Sequence, residues 1–122
     1  MIILNKAIYL SLSIHSVVKR PEIVNGPANQ TAAHGSNVTF NCTATGYPKP
    51  TITWEKDNNS GSVKYNPTPN IPTGDGNSIF SKLVITEVKS KDYGVYRCVA
   101  KNSAGVKIAS ATLGISCYVF AV

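Results

Sequence analysis

Between Asn37 and Ala44 the chain alternates without a break. Asn37, Thr39, Asn41 and Thr43 are polar, while Val38, Phe40, Cys42 and Ala44 are apolar or small. A period of two marks a strand with one face on a core and the other in water. The stretch "GYPKP" at 46–50 breaks that ladder and blocks any helix, because proline donates no backbone hydrogen bond. The alternation resumes with Ile52 and Trp54 on one face and Thr51, Thr53 and Glu55 on the other. Residues 57–78 are rich in Asn, Gly, Pro and Ser. Pro67, Pro69 and Pro72 argue against a central strand there, leaving a surface stretch with short edge strands. A further strand starts at Ile79, turns Leu83 and Ile85 inward and closes at Val88. Tyr93 to Lys101 is another, followed by a four-residue turn, Asn102 to Gly105, whose glycine can take a positive φ. The last strand puts Ala111, Leu113 and Ile115 on its inner face. About seven short strands with turn signals roughly every eight to twelve residues make an all-β sandwich or barrel.

The first stretch, "MIILNKAIYLSLSIHSVV", departs from this pattern. It is too short and too interrupted by Asn5, Lys6 and serines for a membrane span. It fits a secretory leader, with Lys6 as the basic residue, Ala7 to Ile14 as the apolar run and Ser11-Leu12-Ser13 as a small-x-small cleavage triplet. The expected layout is a leader over 1–20, one domain over 21–115 and a tail over 116–122. The tail, "SCYVFAV", fits either a piece of a longer receptor or a short secreted protein.

Cysteine parity gives the sandwich a staple. Cys42 shares its inner face with Val38 and Phe40, and Cys98 shares one with Tyr96 and Ala100. Two inward cysteines on two strands can join two sheets across the core, and on the chain-entropy estimate the closed loop contributes about 4 kcal/mol. Trp54, on the strand after Cys42, can pack on the bridge. Tyr96 precedes Cys98 by two residues, and its hydroxyl can bond back to the turn before it. Cys117 is left over; it is either an intermolecular dimer bridge or idle tail sequence, and the second is preferred.

The series Gly35, Val38, Phe40, Cys42, Ala44, Gly46, Pro48, Pro50, Ile52, Trp54 and Lys56 continues as Leu83, Ile85, Val88, Asp92, Gly94, Tyr96, Cys98, Ala100, Asn102 and Gly105. In order and spacing it resembles an immunoglobulin domain of the intermediate set. The resemblance implies two antiparallel sheets joined by a Cys42–Cys98 disulfide, with Trp54, Tyr96 and Leu83 in the core. It also implies an Asp92 carboxylate paired with a basic residue at the base of the sandwich. Similar modules serve in adhesion molecules, guidance and growth-factor receptors, matrix proteins and titin.

The chemistry-bearing residues point away from catalysis. Neither His15 nor His34 neighbours a nucleophile, no Cys or His pair has zinc spacing, and "GDG" at 74–76 lacks the helix or further acids of a phosphate or metal site. The expected protein is a binding module with no cofactor and no metal. A persistent disulfide belongs to an oxidising compartment. Four N-x-S/T sequons, at Asn29, Asn37, Asn41 and Asn58, agree with an extracellular or cell-surface location. A titin-like intracellular spacer with reduced cysteines is the alternative. Asn37 and Asn41 face away from the core, so sugars there would cover one sheet and leave the other open, although a bridge at Cys42 works against glycosylation of Asn41. The open sheet turns out Thr51, Thr53 and Glu55, then Val95, Arg97, Val99 and Lys101; the first expectation is the scattered valines that any sheet exposes, and the second a small apolar patch with a central cation for a homophilic or heterophilic protein partner.

Twelve Lys and Arg against six Asp and Glu give +6. That balance admits a polyanion such as heparan sulfate, but along the sequence the cations are dispersed, the longest run being Lys19-Arg20, so a nucleic-acid role is not expected.

Overall fold

The structure, a computed structural model, describes residues 17–58, 61–65, 70–73 and 76–116. Among these residues nine strands follow in order: β1 (Lys19–Asn25), β2 (Gln30–Ala32), β3 (Val38–Tyr47), β4 (Thr51–Asn58), β5 (Gly61–Tyr65), β6 (Ile71–Thr73), β7 (Ser78–Ile85), β8 (Gly94–Asn102) and β9 (Gly105–Ile115). They form two sheets, ordered β1-β3-β7-β6 and β2-β9-β8-β4-β5. The expected sandwich is present, with one correction to its antiparallel pairing: β2 runs parallel to β9. The cause is local. The chain leaves β1 at Gly26-Pro27, where proline has no N–H for a ladder, and crosses to the other sheet. The crossing is tight, since a Cβ on Gly26 would sit 3.2 Å from the Ala109 Cβ. Because β1 begins at Lys19, the first sheet also takes in the last two residues of the segment expected as a leader. Residues 1–16 and 117–122, including His15 and Cys117, lie outside the described residues.

The core lies where the alternating strands face one another. Val38, Phe40, Cys42 and Ala44 of β3 meet Ile52 and Trp54 of β4, Ile79, Leu83 and Ile85 of β7, Tyr96, Cys98 and Ala100 of β8, and Ala111 and Leu113 of β9. The Cys42–Cys98 disulfide joins the two sheets. Trp54 stands directly across from Cys98, in register, and is fully buried. Phe40 bridges the aromatic centre, 5.2 Å from the Tyr96 ring and 6.4 Å from the Trp54 ring by centroids.

Two expectations about β9 need correction. Ile115 is 58% exposed, because the core ends at Leu113 and Ile115 pairs only with β2 at the sheet rim. Gly105 does not adopt positive φ; it is the first residue of β9 and pairs with Asn102. The turn is Ser103-Ala104 alone, held by the Asn102 Oδ1, which accepts the Ala104 N–H at 2.8 Å.

The segment "DYGVYRC" is a folding device. Asp92 ends a single 3-10 turn (Ser90–Asp92), and its carboxylate accepts the Lys89 N–H at 2.8 Å. That bond replaces the basic partner expected for Asp92, which forms no ion pair among the described residues. Gly94 sits at φ +143, where a side chain is strained, and a Cβ there would also come 3.5 Å from the Lys56 Nζ. The Tyr96 hydroxyl donates to the Asp92 carbonyl at 2.5 Å, the expected tyrosine corner. Removing only that oxygen, by Tyr96→Phe, is expected to cost about 1–2 kcal/mol in urea melts, the range for a hydrogen bond with one buried partner left unpaired. A change within about 0.3 kcal/mol would show that the corner holds through the ring alone.

Candidate protein-binding face

The five-stranded sheet carries the face that sequence parity turns outward. Pairing of β4 with β8 sets Thr51 opposite Lys101, Thr53 opposite Val99 and Glu55 opposite Arg97. Pairing of β8 with β9 sets Lys101 opposite Val106, Val99 opposite Ile108 and Arg97 opposite Ser110. Val95, Arg97, Val99 and Lys101 therefore do share one face, and β9 extends it with two aliphatic residues that the sequence reading left out. Val106 is 53% and Ile108 51% exposed. The signal for them was available, since the parity that buries Ala111 and Leu113 must turn Val106 and Ile108 out.

Arg97 is not the open cation the sequence implied. Its Nη2 lies 2.6 Å from the Asp57 Oδ1 and its Nε 3.7 Å from the Glu55 Oε2. The hydrogen bond to Asp57 holds the guanidinium above its ordinary pKa; burial opposes that shift, and the charges of Asp57 and Glu55 add to it. The sequence could not show this pairing, because it depends on the β4–β8 register. Its consequence is that the central cation of the face is held by carboxylates of the same sheet beside its aliphatic residues. Beside it lies an open depression of about 610 Å³, lined by Thr51, Thr53, Glu55, Val99, Lys101, Asn102, Ser103 and Val106. Lys101 is exposed on its rim.

Asn37 and Asn41 lie on the side of the other sheet and Asn29 toward the far end of β9, clear of this face. Asn37 and Asn41 are exposed on the side of the four-stranded sheet, Asn41 opposite Lys82 on β7. The Asn37 Oδ1 accepts the Glu87 N–H at 3.0 Å, pinning the loop where Glu87 takes φ +51. The Asn29 Oδ1 accepts the Thr112 N–H at 2.9 Å, near the far end of β9 from the depression. Six residues separate Thr112 from Val106, about 20 Å along a strand. Asn58 is the last residue of β4, and the rest of its sequon, Asn59 and Ser60, lies outside the described residues. His34 is exposed, and Gly74 and Asp75 lie outside the described residues. Among the described residues no three of His, Cys, Asp and Glu are grouped to hold a metal, and no helix is long and apolar enough to cross a membrane.

Two sheets, an inter-sheet disulfide with an indole across from it, and a tyrosine corner define an immunoglobulin-type sandwich. The family profile described as "Immunoglobulin domain" matches residues 20–102, and the chain belongs to that family. It is 36% identical over 95 residues to Lachesin of Drosophila melanogaster, covering 76% of this chain and 24% of Lachesin, so it spans about a quarter of that relative. Among solved structures it is similar to the titin M3 domain, at 31% identity and TM-score 0.64, over 80% of this chain and 97% of that one. It is also similar to a chain from the complex of Dpr2 Ig1–Ig2 with DIP-Theta Ig1–Ig3, at 30% identity and TM-score 0.65, over 80% of this chain and 32% of that one.

Proposed function

We propose that this chain is a non-catalytic, protein-binding immunoglobulin module of an extracellular protein of the cell-adhesion or receptor type, and that it binds through the β4–β8–β9 face. The observation that carries the reading is the aliphatic row of half-buried Val99 and exposed Ile108, with exposed Val106, beside an open depression on a sheet whose central cation, Arg97, is already paired. Such a surface gains from burial and loses little desolvation energy at its centre. The partner is a different protein that inserts an apolar side chain into the depression and sets a carboxylate near Lys101. A second copy fits less well, since two chains of charge +6 repel and two-fold docking would bring two copies of the same cationic rim together. The Dpr2–DIP-Theta complex supports the reading by precedent, as it joins two proteins built of such domains.

The extracellular location rests on the disulfide and on the exposed Asn29, Asn37 and Asn41. A leader that ends before β1 begins at Lys19, inside the 1–20 span expected from the sequence, and a tail over 116–122 belong to the same reading. The similarity to titin M3 favours the second reading, an intracellular structural spacer. Mass spectrometry of the protein from its native source separates the two: the extracellular reading expects an alkylation-resistant Cys42–Cys98 pair and hexose-bearing asparagines, whereas a spacer would show both thiols free and no sugar.

The face is tested with Val99→Glu plus Ile108→Lys. This cross-strand swap keeps the net charge and places opposite charges directly across from each other, so the sheet is preserved. Binding of the tetramerised domain to expressing cells is expected to fall about thirtyfold, the loss of about 2 kcal/mol typical of a central interface residue. Unchanged binding with an unchanged melt would remove this face from the proposal, and bead self-aggregation lost in the same variant would reassign the partner to a second copy.

A further inference from the structure

The geometry points to a binding site for a sulfated polysaccharide at the end of the sandwich where β1 starts and the β8–β9 turn closes. Along the sequence the cations are dispersed, but the fold gathers them there. Asn102 ties the end together: its Nδ2 donates to the Lys19 carbonyl at 2.7 Å and to the Pro48 carbonyl at 2.9 Å, while its Oδ1 holds the Ser103-Ala104 turn. This brings Lys19 and Lys49, which are thirty positions apart, onto one rim. Gly46 makes the tie feasible, because a Cβ there would stand 3.0 Å from the Asn102 Nδ2 and 3.3 Å from the Lys19 carbonyl. Arg20 runs past Gly105, its Cγ and Cδ 3.7 and 3.8 Å from the place a Gly105 Cβ would occupy, an ordinary contact distance that sets Arg20 beside the start of β9. Lys107 shares that side of β9 with Gly105, two residues on, and is exposed.

Lys19, Arg20, Lys49 and Lys107, with Lys101 at the margin, are all exposed and amount to five of the twelve Lys and Arg. Of the nearest carboxylates, Glu55 faces Arg97, while Glu22, opposite Thr45, shares the outer face of the four-stranded sheet with Lys19, opposite Tyr47, and is the one carboxylate of β1. Five cations against the single carboxylate of Glu22 keep a net positive potential at physiological ionic strength, over the roughly 8 Å of a Debye length. The cations lie around the end of a β-sandwich, on the β1 side and at the turns, an arrangement that a flexible linear polyanion can follow and a flat membrane cannot. Tyr47, across from Lys19 and 48% exposed, offers an aromatic surface that the apolar face of a sugar ring can cover. The site depends on the extracellular reading but not on the β4–β8–β9 face.

The test is heparin chromatography and titration with a size-defined heparin oligosaccharide, using the full chain. Wild type is expected to stay on the column at about 0.15 M salt. Arg20→Glu with Lys107→Glu is expected to elute below that concentration and to bind the oligosaccharide at least about tenfold more weakly. Lys82→Glu with Lys91→Glu makes the same change of net charge, +6 to +2, away from this end and is expected to stay bound more tightly than the first variant. Lys49→Ser with Lys107→Ser, at two exposed positions, repeats the test if charge reversal lowers the melt, with a loss of about threefold expected. Equal loss in the two charge-reversed pairs, or wild type passing through at 0.15 M, overturns the site. So does equal affinity for desulfated heparin, duplex DNA or phosphatidylserine vesicles. Retention of the Val99→Glu, Ile108→Lys variant on heparin would show that the two surfaces stand or fall separately.

Discussion

A chain with Cys42→Ala and Cys98→Ala together is expected to lose about 4 kcal/mol of stability, the loop-closure contribution for cysteines 56 positions apart. The two residues are fully buried and join sheets that otherwise touch only through side chains, so nothing else ties β3 to β8 covalently. The loss is large against the roughly 5–15 kcal/mol that hold an ordinary domain together. For a domain of this size it corresponds to a fall in Tm of about 15–30 °C. Urea and thermal melts of the oxidised wild type and the double variant measure it. Wild type melted in reducing agent should approach the variant, because reduction removes the same constraint. A loss under about 1 kcal/mol would mean that the core alone carries the fold. The disulfide would then be dispensable, and the strongest structural argument for an oxidising compartment would go with it.

The strands that buried one full face were legible in the sequence, and those that did not were not. β3 and β7 show strict alternation of buried and outward residues, as do the inner positions of β4 and β8. For these, the side-chain period was enough to place Phe40, Cys42, Trp54, Leu83, Tyr96 and Cys98. β1 buries only Pro21 fully and Ile23 in part, so "KRPEIVN" carries no period to read. β2 is three residues long and owes its position to β9. Within the candidate face, parity supplied which residues point outward, but not what lies across from them. The Arg97–Asp57 ion pair and the gathering of Lys19, Lys49 and Lys107 depend on register and on Asn102, which are properties of the assembled sandwich. Ser81 is the clearest omission. It is a polar residue at a fully buried position of β7, between Ile79 and Leu83, and only its partner across the sandwich explains it.

That partner is Trp54, whose Nε1 donates to the Ser81 Oγ at 3.0 Å with both residues fully buried. Trp54→Ala is expected to cost about 3–5 kcal/mol, because it empties the largest side-chain volume of the core beside the disulfide. Part of that loss belongs to the hydrogen bond, and the part can be isolated. Ser81→Ala leaves the indole N–H without an acceptor in a core that otherwise has no unpartnered buried side-chain polar atom among the described residues, at a cost of about 1–3 kcal/mol. Trp54→Phe loses indole volume and leaves the serine hydroxyl without its donor. In the Trp54→Phe, Ser81→Ala double variant both polar partners are gone, so its cost should fall below the sum of the single changes by about 1–2 kcal/mol. Urea melts of the four proteins close the cycle. A coupling within about 0.3 kcal/mol of zero would show that Ser81 is there for its small volume and not for its oxygen, and the indole would then be held by packing alone.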